Sequence, residues 1–110
     1  MKNFILYIVI ALFSINAFGN EDGRASYRKN CMKCHGIGAK GAFMSTQDGW
    51  AKFFENNALK LKDKHKQTDA KSFFESDEFK NSSKNTFEFL REYASDSGNS
   101  ITGCNPEQPF

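Results

Sequence analysis

The sequence has 110 residues, of which 39% are hydrophobic and 25% are charged, so it suffices for one small globular domain. Its net charge is +2 at pH 7, and its lysines are interspersed with acidic residues. Because neutralising several phosphates requires a strongly basic face, this composition argues against nucleic acid as a partner. A domain this small buries little core and commonly gains stability from a disulfide, a metal or a cofactor.

The amino terminus has the composition of an export signal. Lys2 precedes an uninterrupted apolar run at residues 4–13, and Ala17 and Gly19 are small residues at the two positions that a signal peptidase reads. The run is too short to span a membrane, which needs roughly 20 residues. We therefore expect residues 1–19 to be a cleaved signal peptide and residues 20–110 to be a single domain. The mature protein is expected in the periplasm, without stable membrane insertion.

The first part of the predicted domain contains a helix and a loop. Glu21 to Lys33 is the expected first helix, with Asn20 as its cap and acidic residues at its positive end. Residues 35–49 contain several glycines and no sustained period, which is typical of a loop. Since loops often carry functional groups, this segment is a candidate region for a site.

The next segment predicts an amphipathic helix. From Trp50 onward, apolar residues recur every three or four positions, as one helical face requires, and His65 continues the series. The apolar members are Trp50, Phe54, Ala58 and Leu61. A short helical piece is expected at residues 70–75. No strand pattern is present, so the predicted fold class is all-α.

A last helix is expected near the carboxyl end. Ser82 or Ser83 is its predicted cap, and Gly98 is placed to end it. Its inner face should carry three apolar residues, with Tyr93 beside them: Phe87, Leu90 and Ala94. The tail to residue 110 is expected to be irregular.

Cys31, Cys34 and His35 form the motif that carries chemistry. Two thiols three positions apart at a helix end can bond to both vinyl groups of one haem, and the adjacent histidine is then turned toward the iron. We interpret Cys31 and Cys34 as the covalent attachment points of one haem c and His35 as the proximal iron ligand. This interpretation also accounts for the export signal and the small core.

Other chemistries stay open for the two cysteines. A redox dithiol or a disulfide is compatible with the spacing, although a thioredoxin-like dithiol is expected beside strand–helix–strand patterning, which is missing. A zinc site could combine the pair with Cys104 and with His35 or His65, but the sequence has only one close ligand pair.

The pattern around the motif resembles class I cytochromes c of the exported bacterial type. In that family a glycine and an aromatic residue stand eight and four positions before the first cysteine, and Gly23 and Tyr27 occupy those positions here. In the family these two positions lie where the first helix crosses the last, and Leu90 with Tyr93 matches the spacing of the pair that the family's last helix contributes to this crossing. The resemblance implies a cytochrome c-like fold of three to four helices around one covalently bound haem.

The sixth iron ligand departs from the family pattern. Most class I members supply a methionine between the third and last helices, but residues 71–110 contain neither methionine nor histidine. His65 continues an apolar helical face and is the expected distal ligand. Met44, in the glycine-rich loop, is the alternative. A solvent-facing His65 with an open iron site is the third possibility.

The expected function is electron transfer in the periplasm, without catalysis. The expected partners are redox proteins of a respiratory chain and, during maturation, the haem attachment machinery. A run of lysines around His65 could steer an acidic redox partner: Lys60, Lys62, Lys64 and Lys66. Two alternatives are a haem protein with an open distal site that binds or senses a gas, and a structural zinc module.

Overall fold

The computed structural model of the protein describes residues 21–99, so the predicted signal peptide, the end of the tail and Cys104 lie outside the described residues. Six helices follow one another in this region, and it contains no strand. The prediction of an all-α fold is confirmed. The helices are α1 (Glu21–Asn30), α2 (Met32–His35), α3 (Gly38–Ala42), α4 (Gln47–His65), α5 (Lys71–Phe74) and α6 (Asp77–Glu92).

The crossing of α1 and α6 organises the fold. At Gly23 the two backbones approach so closely that a Cβ would overlap the carbonyl oxygen of Asn85. The ring of Tyr27 lies 5.7 Å from that of Phe89, and both side chains are almost completely buried. The predicted crossing at Gly23 and Tyr27 is therefore confirmed, with Phe89 as an additional central residue that the sequence did not single out.

Two adjoining clusters make up the core of the described region. The cluster at the α1–α6 crossing includes Trp50, whose indole N–H donates to the Ala42 carbonyl at 2.9 Å and so leaves no buried donor without a partner. The second cluster comprises Ala58, Phe74 and Phe79. Phe54 contacts both clusters, which joins them into one apolar interior.

A left-handed turn interrupts α4, which the sequence predicts as one continuous helix. Asn56, Asn57 and Ala58 have φ values of 54°, 58° and 58°. Asparagine adopts this conformation more readily than most residues, because its short polar side chain can hydrogen-bond locally. The turn divides α4 into residues 47–54 and residues 59–65. The expectation of one uninterrupted helix is therefore wrong, although Trp50 and Ala58 are buried as predicted.

The last helix begins earlier than predicted. Ser76 caps α6 by accepting a hydrogen bond from the Phe79 N–H at 3.3 Å, whereas Ser82 and Ser83 lie inside the helix. Ser76 precedes two acidic residues in the first turn, which interact favourably with the helix dipole. The cap predicted at Ser82 or Ser83 is wrong because this stronger start signal lies upstream. Leu90 and Ala94 are buried as expected.

Three smaller differences concern helix ends. The first helix ends at Asn30 rather than Lys33, and α2 begins after Cys31. The predicted loop at residues 35–49 contains α3, and α4 begins within it at Gln47. α6 ends at Glu92, so Gly98 does not terminate it. The short helix expected at residues 70–75 is present as α5.

Candidate haem site

The cysteine motif forms one tight turn directly after α1. The Cys31 N–H donates to the Tyr27 carbonyl at 2.8 Å, and the N–H groups of Cys34 and His35 both donate to the Cys31 carbonyl, at 3.2 Å and 3.0 Å. Cys31 is half-buried and Cys34 is exposed, and neither is in a disulfide. The turn therefore presents two unpaired thiols beside an imidazole.

The two thiols lie in different environments. Burial raises the pKa of Cys31 to about 11, and the nearby Cys34 adds to the rise. In the folded chain Cys31 is therefore protonated at neutral pH, which makes it a weak nucleophile and a weak metal ligand. Because an attacking thiolate requires a lowered pKa, Cys31 is poorly suited to be the nucleophilic member of a redox dithiol.

The imidazole rings of His35 and His65 lie close together. Their ring centroids are 5.9 Å apart and their planes are inclined at 75°. Burial lowers the pKa of His35, and the proximity of His65 lowers it further. Both causes favour the neutral imidazole, which is the form that binds a metal.

The separation of the two rings suits a shared metal ion. A metal–imidazole bond is about 2 Å long, so two imidazoles on opposite sides of one ion have centroids roughly 6.3 Å apart. The observed 5.9 Å is close to this value. The structure thus brings together the two histidines that the sequence predicts as axial ligands.

Two neighbours fix the His65 ring. Its Nδ1 lies 2.7 Å from the Leu61 carbonyl oxygen, and because a carbonyl can only accept, Nδ1 carries the proton. The lone pair on Nε2 is then free for a metal, as is usual for histidine ligands held from behind by a carbonyl. Phe74 packs against the ring with centroids 4.4 Å apart. Neither neighbour was predicted from the sequence, although the four-residue spacing of Leu61 and His65 places them on one side of a helix.

Met44, the alternative distal ligand, lies in a different setting. It follows α3 and its side chain is 53% exposed. His65, by contrast, is half-buried and its ring lies beside that of His35. The ring that lies beside His35 in this structure is therefore that of His65, whereas the Met44 side chain is largely exposed.

The metal-ligating residues of the described region form no larger group. Within residues 21–99, no cluster of three or more His, Cys, Asp or Glu side chains is arranged to hold a metal ion. The zinc hypothesis also needs Cys104, which lies outside the described part of the chain. The same residues 21–99 include no helix long and apolar enough to cross a membrane.

The lysines around His65 are partly engaged with aromatic rings. The Lys60 ammonium lies 4.7 Å from the centroid of Phe53, and that of Lys62 lies 5.7 Å from the centroid of Phe79. Lys66 forms an exposed ion pair with Asp63. Phe53 and Phe79 belong to different core clusters, so the predicted basic run is not one uniform face.

A cavity of about 520 Å³ lies between α4 and the start of α6. Its walls include Phe74, which also packs on His65, but none of Cys31, Cys34 and His35 lines it. The cavity therefore adjoins the histidine pair without containing the cysteine motif.

One protein family matches this sequence over most of its length. The sequence model of the cytochrome c family matches residues 20–106, which is most of the sequence. Searches of curated proteins and of solved structures found no match. The helical fold, the thiol pair and the neighbouring histidine rings are consistent with the family match. The chain belongs to the cytochrome c family, whose members bind haem c covalently and carry electrons between redox partner proteins.

Proposed function

We propose that this chain is a periplasmic electron carrier with one haem, attached through Cys31 and Cys34 and ligated axially by His35 and His65. The observation that carries the proposal is the 5.9 Å separation of the two imidazoles, which matches what a shared iron requires. A site closed by two protein ligands suits electron transfer better than binding of an added gas.

The residues present fit a covalently attached haem. The motif offers two unpaired thiols on one turn, and the imidazole rings of His35 and His65 lie side by side with centroids 5.9 Å apart. When bound, the haem supplies a one-electron iron couple. Cys31 and Cys34 would tether the haem, and His35 and His65 would supply its two nitrogen donors, with Phe74 packed against the His65 ring.

The hydrogen bond from His65 to Leu61 has an electronic consequence. Because the Leu61 carbonyl accepts a hydrogen bond from Nδ1–H, Nε2 becomes a stronger donor, which would stabilise the more highly charged oxidised iron. A second imidazole likewise favours the oxidised state more than a thioether does. We therefore propose a low reduction potential for this carrier.

Export and maturation complete the proposal. The signal-like residues 1–19 support cleavage near Asn20 and a mature domain at residues 20–110 in the periplasm. The partners would then be the haem attachment machinery and the redox proteins of a respiratory chain. The chain would transfer electrons without transforming a substrate.

The attachment is tested on protein purified from a host that matures c-type cytochromes. We expect the polypeptide mass to include one haem, the haem to stay bound in acidified organic solvent, and the sequence to begin near Asn20. Replacing both Cys31 and Cys34 by alanine should abolish covalent haem. Haem that leaves the wild type in acidified solvent contradicts attachment, and an intact Met1 on periplasmic protein contradicts the signal peptide.

The distal ligand is tested by absorbance spectroscopy of two variants. His65→Ala should convert a low-spin spectrum to a high-spin one, because it removes the sixth donor, while the matched Met44→Ala should leave the spectrum unchanged. A near-infrared band from sulfur ligation that disappears in Met44→Ala would refute His65. A high-spin wild type that responds to nitric oxide would replace electron transfer with gas binding as the function.

A further inference from the structure

We propose that the hydroxyl group of Tyr27 is a positioning group for His35, which it holds by anchoring the backbone on the far side of the haem motif. This inference rests on the proposed role of His35 as the proximal ligand. The aromatic ring of Tyr27 belongs to the helix crossing already described. The hydroxyl group, in contrast, donates a hydrogen bond to the backbone next to His35.

Tyr27 is bonded to both ends of the cysteine motif. Its backbone carbonyl accepts the Cys31 N–H at 2.8 Å, and its hydroxyl donates to the Gly36 carbonyl at 2.8 Å. The motif from Cys31 to His35 lies between these two bonds. One residue of α1 therefore sets where the motif begins and where it ends.

The anchored end needs such a restraint. Gly36 directly follows His35 and has φ 81° and ψ −173°, a conformation open almost only to glycine. Glycine is also the residue with the greatest backbone freedom, so the turn after the ligand is intrinsically loose. A hydrogen bond to the Gly36 carbonyl removes part of this freedom at the residue adjoining His35.

The Tyr27 hydroxyl is buried against the backbone of α3. A Cβ on Gly41 would overlap the Tyr27 hydroxyl, so the backbone of α3 packs directly on this group. Tyr27 is 1% exposed, and a buried hydroxyl costs free energy unless it is hydrogen-bonded. Phenylalanine would supply the same ring to the crossing without that cost. The hydroxyl therefore serves the bond to Gly36 rather than the crossing.

The test compares Tyr27→Phe with Tyr93→Phe in the haem-loaded protein. Tyr93 is the matched control, because its ring also packs on Phe89, at 5.5 Å, and belongs to the same crossing. Losing one hydrogen bond should speed amide hydrogen exchange at His35 and Gly36 roughly two- to tenfold in Tyr27→Phe. Amide hydrogen exchange in the middle of α6 should be the same in Tyr27→Phe as in the wild type. The paramagnetically shifted His35 ring resonances of the oxidised protein should move in Tyr27→Phe and stay in Tyr93→Phe.

A second variant, on α3, should break the same hydrogen bond between Tyr27 and Gly36. Gly41→Ala should displace the hydroxyl and reproduce the faster exchange at His35 and Gly36. Equal exchange rates in the wild type and Tyr27→Phe would overturn the role of the hydroxyl while leaving His35 as a ligand. If the wild type shows no paramagnetically shifted His35 ring signal, the ligand assignment fails, and the proposal fails with it.

Discussion

Burial raises the pKa of the Tyr27 phenol to about 12, and the neighbouring Cys31 thiol contributes to the rise. In the unfolded chain a tyrosine titrates near its ordinary pKa of about 10. A group whose pKa is raised by folding stabilises the folded state below the unfolded pKa and loses that contribution as the pH rises toward the folded pKa. The Tyr27 contribution is thus present below about pH 10 and is lost between about pH 10 and pH 12.

This titration predicts a specific alkaline sensitivity. Between pH 10 and pH 12, the melting temperature of the wild type should fall more steeply than that of Tyr27→Phe, as followed by circular dichroism. Tyr93→Phe, which retains the buried phenol of Tyr27, should follow the wild type. Parallel curves for wild type and Tyr27→Phe would show that the Tyr27 phenol does not couple to unfolding.

The close approach at Gly23 predicts the cost of adding one methyl group. Gly23→Ala would push a Cβ into the Asn85 carbonyl and should destabilise the protein by about 1–3 kcal/mol, which is typical of overpacking. The exposed Ala25 on the same helix provides the control, since Ala25→Ser should cost less than about 1 kcal/mol. Thermal unfolding measures both. Equal effects would mean that the helices do not meet at Gly23.

At the scale of the elements, the interruption of α4 changes which substitutions the chain tolerates. In a regular exposed helix, valine is more favourable than glycine. Asn57 is exposed in the left-handed turn, where a β-branched residue is strained and glycine is not. We expect Asn57→Val to destabilise the protein by about 1–2 kcal/mol and Asn57→Gly to cost little.

Lys52 supplies the comparison for Asn57. It is exposed in the regular first half of α4, so Lys52→Gly should be less stable than Lys52→Val, the reverse of the order at Asn57. Denaturant unfolding of the four variants gives the two rankings. The same order at both positions would indicate that α4 is continuous.

The helix boundaries show what sequence periodicity can and cannot predict. The spacing from Trp50 to His65 correctly indicates an inward face, but apolar spacing does not report backbone dihedrals, so it could not reveal the turn at residues 56–58. The cap of α6 was predictable, because Ser76 followed by two acidic residues is an ordinary start signal.

The site was predictable where chemistry is local. Cys31, Cys34 and His35 are adjacent in sequence, so their spacing alone predicts their common role, and the family match agrees with one covalent haem. The meeting of His35 and His65 is a tertiary contact across 30 residues, which the apolar face only suggested. The Tyr27 hydroxyl bond to Gly36 depends on the crossing geometry and gave no signal in the sequence.

At the scale of the whole molecule, the charges near His65 should affect how fast small ions exchange electrons with the protein. Lys64 is exposed and Lys62 lies over Phe79 at the edge of the second core cluster. Replacing both with glutamate should slow oxidation by ferricyanide, an anion, by about two- to tenfold at low ionic strength.

The control for this prediction is an oxidant of opposite charge. A cationic cobalt complex should react faster with the double variant than with the wild type, and added salt should diminish both effects, because the Debye length is about 10 Å at 0.1 M. Stopped-flow absorbance gives the rates. Equal slowing with both oxidants would indicate a structural change rather than an electrostatic one.

The pairing of α1 with α6 also has a consequence for the order of events during synthesis. The chain is made from its amino end, so Cys31 and Cys34 emerge long before α6, the helix against which α1 must rest. During that interval the thiols lie in a chain without the burial that raises the pKa of Cys31. An exported chain that has not yet folded therefore has a more reactive Cys31 thiol than the folded domain, and under the proposed attachment through Cys31 and Cys34 we expect the cofactor to be acquired before α1 closes on α6.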